Sequence, residues 1–466
     1  MYRRLIGIML LCLVITVQGC TALKKPVPPQ IKALPKKFCN GLNVSDLEIT
    51  SSLLDLVKDD QAVELVAEAL DNNHNIQAAA LRLKSAGLLL SQTRAARMPQ
   101  IDAGYAADRN NQSIGQDVQS SHRVSLSFAW ELDVWGKLAD RHRAREKDFN
   151  ARELEYFRAM DSLAARVIQT WIRIKSNKMY LDIQGKRVDI YRKIEETILK
   201  KYKAGLGNLQ DISAARSRTN RVRAGLTRFR EIYQSSVRDL ELLLGRYPAT
   251  AIQVKSGLPD LYLAHPEAPA LVLTRRPDVQ AAVNRAESAL SDAKASGKEL
   301  LPNIRLTGNI FRDNSQLSRL GSSSNSWDLL GNLLFPLFNA GRIKKESESA
   351  DALALAAYQD LETAVLQAMK EVENGFAKEG RLKEQMIFLQ KALEDARVSS
   401  AYYEARFKEG LATIIELYTA RDQELEILVE ILETKADRII NRVDIALALG
   451  TGALEKKMER TGNERI

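Results

Sequence analysis

HRVSLSFAWELDVWGKLADRHR, residues His122–Arg143, changes its period half-way along. Val124, Leu126, Phe128, Trp130 and Leu132 alternate with Arg123, Ser125, Ser127, Ala129 and Glu131, the spacing of a strand with one apolar and one polar face. The alternation stops at Asp133, and Gly136 marks the break. From Lys137 the chain is rich in helix formers and holds no proline before Pro248. A strand is therefore expected to feed a very long helix through a glycine turn.

The same change of period recurs in WDLLGNLLFPLFNAGR, Trp327–Arg342, where Trp327, Leu329, Leu333, Phe335 and Leu337 hold one face and Gly341 is the break. Subtraction turns the similarity into a register. Gly341 minus Gly136, Gly410 minus Gly205 and Gly450 minus Gly245 each equal 205. Upstream, Asn75–Ala79 against Asp278–Ala282, and Pro99 against Pro302, stand 203 apart. One offset kept over separated blocks implies an internal duplication, with the two-residue change falling in the hairpin loop.

The chain of 466 residues carries 68 Lys and Arg against 59 Asp and Glu, a formal charge of +9. The charges interleave along helical stretches, as on a solvated helix surface, and no helix-turn-helix, zinc finger or aromatic–basic strand points to nucleic acid. The four histidines, His74, His122, His142 and His265, lack metal-ligand spacing. Gly205-x-Gly207 lies between helical runs rather than after a βαβ strand, and there is no G-x-S-x-G elbow. No catalytic residue, metal or cofactor is expected.

At the N-terminus Arg3 and Arg4 precede the apolar run Leu5–Val17, which reads as a signal peptide over residues 1–19. Val17-Gln18-Gly19-Cys20 resembles a bacterial lipobox, which would make Cys20 the lipidated first residue of the mature chain. Of the three cysteines only Cys39 is then left, without an intrachain partner. Residues 20–59 read as a Pro- and Lys-rich tether and a short following segment.

The first repeat, 60–248, reads as a helix over Asp60–Arg97 closed by Pro99, a β-hairpin over 101–132 around the polar loop Arg109–Ser121, a long helix and a short helix. Residues 249–274 link it to the second repeat, 275–450. That repeat has a helix over Arg276–Leu301, a hairpin over 304–337 around Asp313–Ser326, and helices over Arg342–Phe407 and Leu411–Leu449; 451–466 is a tail. Lys137–Tyr202, 66 residues, would be roughly 100 Å long at about 1.5 Å per residue, close to two shorter helices end to end.

Four amphipathic strands cannot close a membrane barrel, because unpaired backbone edges in lipid cost several kcal/mol each. Single-chain barrels begin near eight strands. Several chains must pool their strands, and three chains of four give twelve.

The chain resembles the TolC-type outer-membrane efflux proteins, and within them the lipidated outer-membrane factors. The residues that carry the resemblance are Trp130-Glu131-Leu132-Asp133-Val134-Trp135-Gly136-Lys137 and its partner Pro336-Leu337-Phe338-Asn339-Ala340-Gly341-Arg342. Arg275-Arg276-Pro277-Asp278-Val279, Leu301-Pro302, Tyr202–Gly205, Phe407–Gly410 and Leu243-Leu244-Gly245 add to them. The resemblance implies a mainly α-helical protein whose trimer forms a twelve-strand outer-membrane β-barrel continuous with a periplasmic helical barrel. It implies the exit duct of a tripartite pump for drugs or other toxic small molecules, with metal-cation efflux or one-step protein secretion as alternatives. A lipid-anchored coiled-coil scaffold, the reading outside the family, leaves the four strands unexplained. The implied partners are two further copies of the chain, a periplasmic adaptor, an inner-membrane transporter of the RND type, and lipid.

By the same resemblance the adaptor docks at the turns Tyr202, Gly205, Leu206 and Phe407, Gly410, Leu411. Asp211 and Glu416 each lie six residues past a turn glycine and are candidates for an acidic gate. Crowded carboxylates there would raise one another's pKa. Thr419 stands where a second gate aspartate is implied, and Ala412 where the family has an arginine, so the family's salt-bridge lock is not carried over.

Overall fold

The computed structural model describes residues 59–110, 119–255, 257–259 and 269–452, together with Phe38 and Leu53. Cys20, Cys39 and the signal stretch lie outside the described residues.

Helices α1 (Asp60–Asn72) and α2 (His74–Ala95) lead to strands β1 (Gln100–Asn110) and β2 (Gln119–Glu131). The 67-residue α3 (Lys137–Lys203) and the 35-residue α4 (Leu209–Leu243) complete the first copy. The second copy repeats the order: α5 (Pro269–Arg275), α6 (Pro277–Gly297), β3 (Asn303–Asn314), β4 (Ser326–Leu334), α7 (Arg342–Lys408) and α8 (Ile414–Ala448). Helix α7 again has 67 residues and α8 has 35. The three glycine pairs that end the helices or the strand–helix turns adopt positive φ: +72° and +80° at Gly136 and Gly341, +75° and +80° at Gly205 and Gly410, +72° and +78° at Gly245 and Gly450. Only glycine takes that conformation cheaply, so the duplication fixes where helices start and stop.

Several boundaries differ from the sequence reading. The expected helix over Asp60–Arg97 is broken at Asn73. The one expected over Arg276–Leu301 begins at Pro277 and ends at Gly297 before a 3-10 turn at Lys298–Leu300, and the further helix α5 stands inside the expected link 249–274, so that Arg276 is the break between α5 and α6. The two breaks are 203 residues apart and do the same work. Asn73 Nδ2 donates to the Leu243 carbonyl at 2.8 Å, and Arg276 Nη1 donates to the Ala448 carbonyl at 2.9 Å. Each break residue thus caps the last carbonyl of its repeat's final helix, and the two acceptors are 205 apart. Asn73 Oδ1 also accepts from the Asn75 and Ile76 amides, restarting the helix. The hairpin expected to reach residue 337 ends at Leu334, because Pro336 has no amide for the ladder. The first hairpin's strands reach further into their loop than expected, to Asn110 and from Gln119.

The described residues group into two compact units. One holds Arg82–Leu154 and Gln280–Ala364; the other holds the rest. In the first, the four strands form one antiparallel sheet in the order β1-β2-β3-β4, so β1 and β4 are its edges. The register aligns side chains across all four strands: Ala103 faces Leu126, Leu126 faces Ile310, and Ile310 faces Trp327. This face carries Ile101, Val124, Leu126, Trp327, Leu329 and Leu333, each between 47% and 74% exposed, an apolar surface left uncovered by the chain itself. The other face carries Asp102, Arg123, Ser125, Arg305, Asn309 and Asp328, with Asn309 Nδ2 donating to Asp328 Oδ1 at 2.8 Å and Arg123 4.7 Å over the Phe311 ring.

In the second unit, helices of both copies share one core around Trp171, Ile172, Leu240, Phe376 and Val443, each 1% exposed or less. Trp171 satisfies its indole N–H on Asp59 Oδ2 at 3.0 Å. The same carboxylate caps α1 and pairs with Lys175 at 2.8 Å.

Candidate functional site: the paired helical turns

Both turns are built alike. The Leu206 amide donates to the Lys201 carbonyl at 2.9 Å and the Gly205 amide to Tyr202 at 3.0 Å; Leu411 donates to Arg406 at 2.8 Å and Gly410 to Phe407 at 3.2 Å. These are Schellman caps with glycine in the left-handed position. A Cβ on Gly205 or Gly410 would meet nothing within 4 Å, so only the backbone angle demands glycine there. Lys201 Nζ sits 4.6 Å over the Phe407 ring, and Ile414 packs against the cluster of Ile198, Ile212 and Ala215, so the two turns lie side by side. Their tips are apolar and open: Leu206, Leu209, Leu411 and Ile415 are 62–78% exposed, and Tyr202 is exposed beside them.

The two candidate gate carboxylates sit differently. Asn208 caps α4 by accepting the Asp211 amide at 2.8 Å, which leaves the half-buried Asp211 side chain out of the cap. Glu416 closes a capping box: its Oε2 accepts from the Thr413 amide and hydroxyl, each at 2.7 Å, while its own amide donates to Thr413 Oγ1. The Thr413 hydrogen bonds hold the Glu416 carboxyl below the usual range, the reverse of what a crowd of carboxylates does. A depressed folded-state pKa leaves this cap intact at neutral pH; it weakens only as pH falls through the lowered value. Thr419 spends its hydroxyl on the Ile415 carbonyl at 2.9 Å and links to no other helix through it.

A link between helices lies three residues beyond Thr419, less than one helical turn further in, at a residue the sequence reading passed over. Asp422 of α8 is 7% exposed and accepts from Arg187 and Tyr191 of α3 and from Arg218 of α4. Tyr191 stacks on Tyr418 with ring centroids 4.7 Å apart and planes 6° from parallel. Burial pushes the Tyr418 phenol up, and its hydroxyl finds no hydrogen-bond partner. The partners of Asp422 lie 204–235 residues away in sequence, and no local motif announces them.

At the strand–helix junctions, Trp130 Nε1 donates to the Arg97 carbonyl at 3.0 Å and Trp135 Nε1 to Pro302 at 2.7 Å. Asp133 accepts from the Leu138 and Ala139 amides at 2.9 and 2.8 Å, so the W-E-L-D run ends on the side chain that starts α3. The Gly136 carbonyl receives Lys298 Nζ at 3.1 Å, and the same ammonium pairs with Asp140 at 2.6 Å. In the second copy Gly341 is reached through Ala340, itself at φ +52°, and Pro336 lies in the link between β4 and α7. Among the described residues no group of three or more His, Cys, Asp or Glu could hold a metal, and no helix is long and apolar enough to cross a membrane.

A family model described as outer membrane efflux protein matches residues 65–246 and 268–451, one match per copy of the repeat. The probable outer membrane lipoprotein SilC of Salmonella typhimurium is 24% identical over 446 residues, covering 94% of this chain and 96% of the relative. The solvent efflux pump outer membrane protein SrpC of Pseudomonas putida is 24% identical over 449 residues, with 93% and 96% covered. Among solved structures, the CmeC outer membrane channel of Campylobacter jejuni superposes with a TM-score of 0.84 at 18% identity, covering 94% of this chain and 98% of that one.

Proposed function

The chain belongs to the outer membrane efflux protein family, and from that premise we propose that it is the outer-membrane duct of a tripartite pump, through which drugs, solvents or other toxic small molecules leave the cell. The observation that carries the reading is the four-strand sheet with one uncovered apolar face and two unpaired edges. In lipid such edges must be closed by further copies of the chain, and a homotrimer does so with cyclic symmetry. The apolar face then meets lipid and the polar face lines the passage. An N-terminal lipid on Cys20 anchors the chain. Intact mass of the mature protein should show acyl groups on Cys20; an unmodified N-terminus at another residue would remove the anchor.

The open apolar tips at Leu206 and Leu411 are where a periplasmic adaptor docks, in line with an inner-membrane transporter of the RND type. Leu206→Asp with Leu411→Asp changes no packed residue, so trimers and expression should persist while pump-dependent resistance drops to the level of a strain lacking the chain. Unchanged resistance would move the docking surface elsewhere.

Asp211 and Glu416 form an acidic constriction where three copies meet. The test is single-channel recording of the purified trimer in a planar bilayer. Glu416→Gln keeps a capping-box acceptor but removes the charge, so with Asp211→Asn it should lower cation selectivity and divalent block. Channels with wild-type selectivity and block would leave Glu416 a helix cap alone. Failure of the wild type to form channels would overturn the duct itself.

A further inference from the structure

The carboxylates of the sheet keep to one of its faces, whereas its basic residues occupy both. All five strand carboxylates, Asp102, Asp108, Glu131, Asp313 and Asp328, fall by register on the polar face. The apolar face holds only basic ones: Arg109 on β1, His122 on β2 and Arg312 on β3. They are confined to the end of the sheet nearest the hairpin loops. Arg312 is eight residues beyond Ile304 on the same strand, roughly 26 Å of strand at ~3.3 Å per residue, the far side of an apolar band.

The three lie on one diagonal. Arg109 pairs with Ser120, two residues before His122; His122 pairs with Asn314, two residues beyond Arg312. Each step is one strand across and two residues along, about 8 Å, so the row is roughly 16 Å long. Arg312 is held in place by neutral acceptors only, Asn325 Oδ1 at 2.5 Å and the Gly321 carbonyl at 3.1 Å, and keeps its positive charge uncompensated by them. The Tyr105 hydroxyl lies 2.9 Å from His122 Nδ1 and the two rings stack, which sets the imidazole in the row. Arg109 is exposed.

We propose that this row, Arg109–His122–Arg312, binds the phosphate groups of lipid headgroups in the leaflet at the loop end of the barrel. Guanidinium forks match phosphate oxygens in pairs, and a face free of carboxylates offers nothing that repels an anion. A row of this length suits a headgroup bearing two separated phosphates better than one. The inference rests on the apolar face meeting lipid, and the experiment separates the two.

The full-length trimer and an Arg109→Gln/Arg312→Gln variant are reconstituted in phosphatidylcholine vesicles and titrated with diphosphoryl lipid A, monophosphoryl lipid A or phosphatidylcholine. Bound lipid is counted by native mass spectrometry, and trimer and strand content are checked for both proteins. Diphosphoryl lipid A should bind the wild type more tightly than the other two lipids. The variant, still inserted and trimeric, should bind it roughly tenfold or more weakly, given about one decade or less per lost basic contact; Arg109→Lys/Arg312→Lys should recover part of the loss. Equal binding by wild type and variant, or equal retention of the three lipids by the wild type, overturns the proposal. A wild type that does not insert at all overturns the lipid-facing sheet beneath it.

Discussion

Asp422→Ala is expected to cost about 3–5 kcal/mol of stability in the helical unit that contains it. The carboxylate gathers Arg187, Arg218 and the Tyr191 hydroxyl in a site where it is 7% exposed itself. Both guanidinium groups also keep a buried Nε without a hydrogen-bond partner, and each pairs with Asp422. Removing it leaves two cations facing each other in a low-dielectric gap, and each must then rehydrate or move apart. Replacing all three charged residues by leucine should return most of the loss, since a buried ion cluster seldom outperforms an apolar filling of similar volume. Thermal unfolding followed by helical circular dichroism reads both effects. A small shift for Asp422→Ala would mean that water reaches the site and the cluster counts little.

Gly245→Ala should cost about 3 kcal/mol, while Gly205→Ala, at nearly the same φ, should cost about 1 kcal/mol. Both glycines end helices in the left-handed region, at +72° and +75°. A Cβ on Gly205 would enter open space, whereas one on Gly245 would stand 2.5 Å from the Asn72 carbonyl oxygen. The helix end could yield only by moving Asn73, whose side chain caps Leu243. The pair therefore separates the price of the angle from that of the contact. Equal losses at the two positions would show that α1 gives way and that the close approach is not needed.

How much of this was legible in the sequence follows from how local each signal is. The change from alternation to helical spacing at Asp133 and the glycines spaced by 205 are local, and they placed the strands, the long helices and the turns. The break at Asn73 was hidden because an asparagine inside an apolar helical pattern carries no prohibition; its cause is an acceptor 170 residues away. Its counterpart at Arg276 precedes Pro277, a stop signal that the sequence reading let pass. The capping box of Thr413 and Glu416 has a recognisable spacing, yet the same glutamate attracted a gating role through its place after the turn. The Asp422 cluster draws on three helices, and no spacing within any one of them foretells it.

The duplicated architecture also bears on assembly. Each copy supplies one hairpin and one long helix, so unfused halves would need twice as many subunits to enclose the same passage. Every association event forfeits on the order of 4–15 kcal/mol of translational and rotational freedom. Joining n fused chains takes n − 1 such events where joining 2n halves takes 2n − 1, so covalent fusion removes more than half of them. It also frees sites that an assembly of identical halves must keep alike. The chain uses that freedom at one point after another: asparagine caps one helix after a turn and a threonine–glutamate box caps the other, and a neutral amide closes one repeat where a guanidinium closes the other. An ancestor built from identical halves could have carried only one solution at each place.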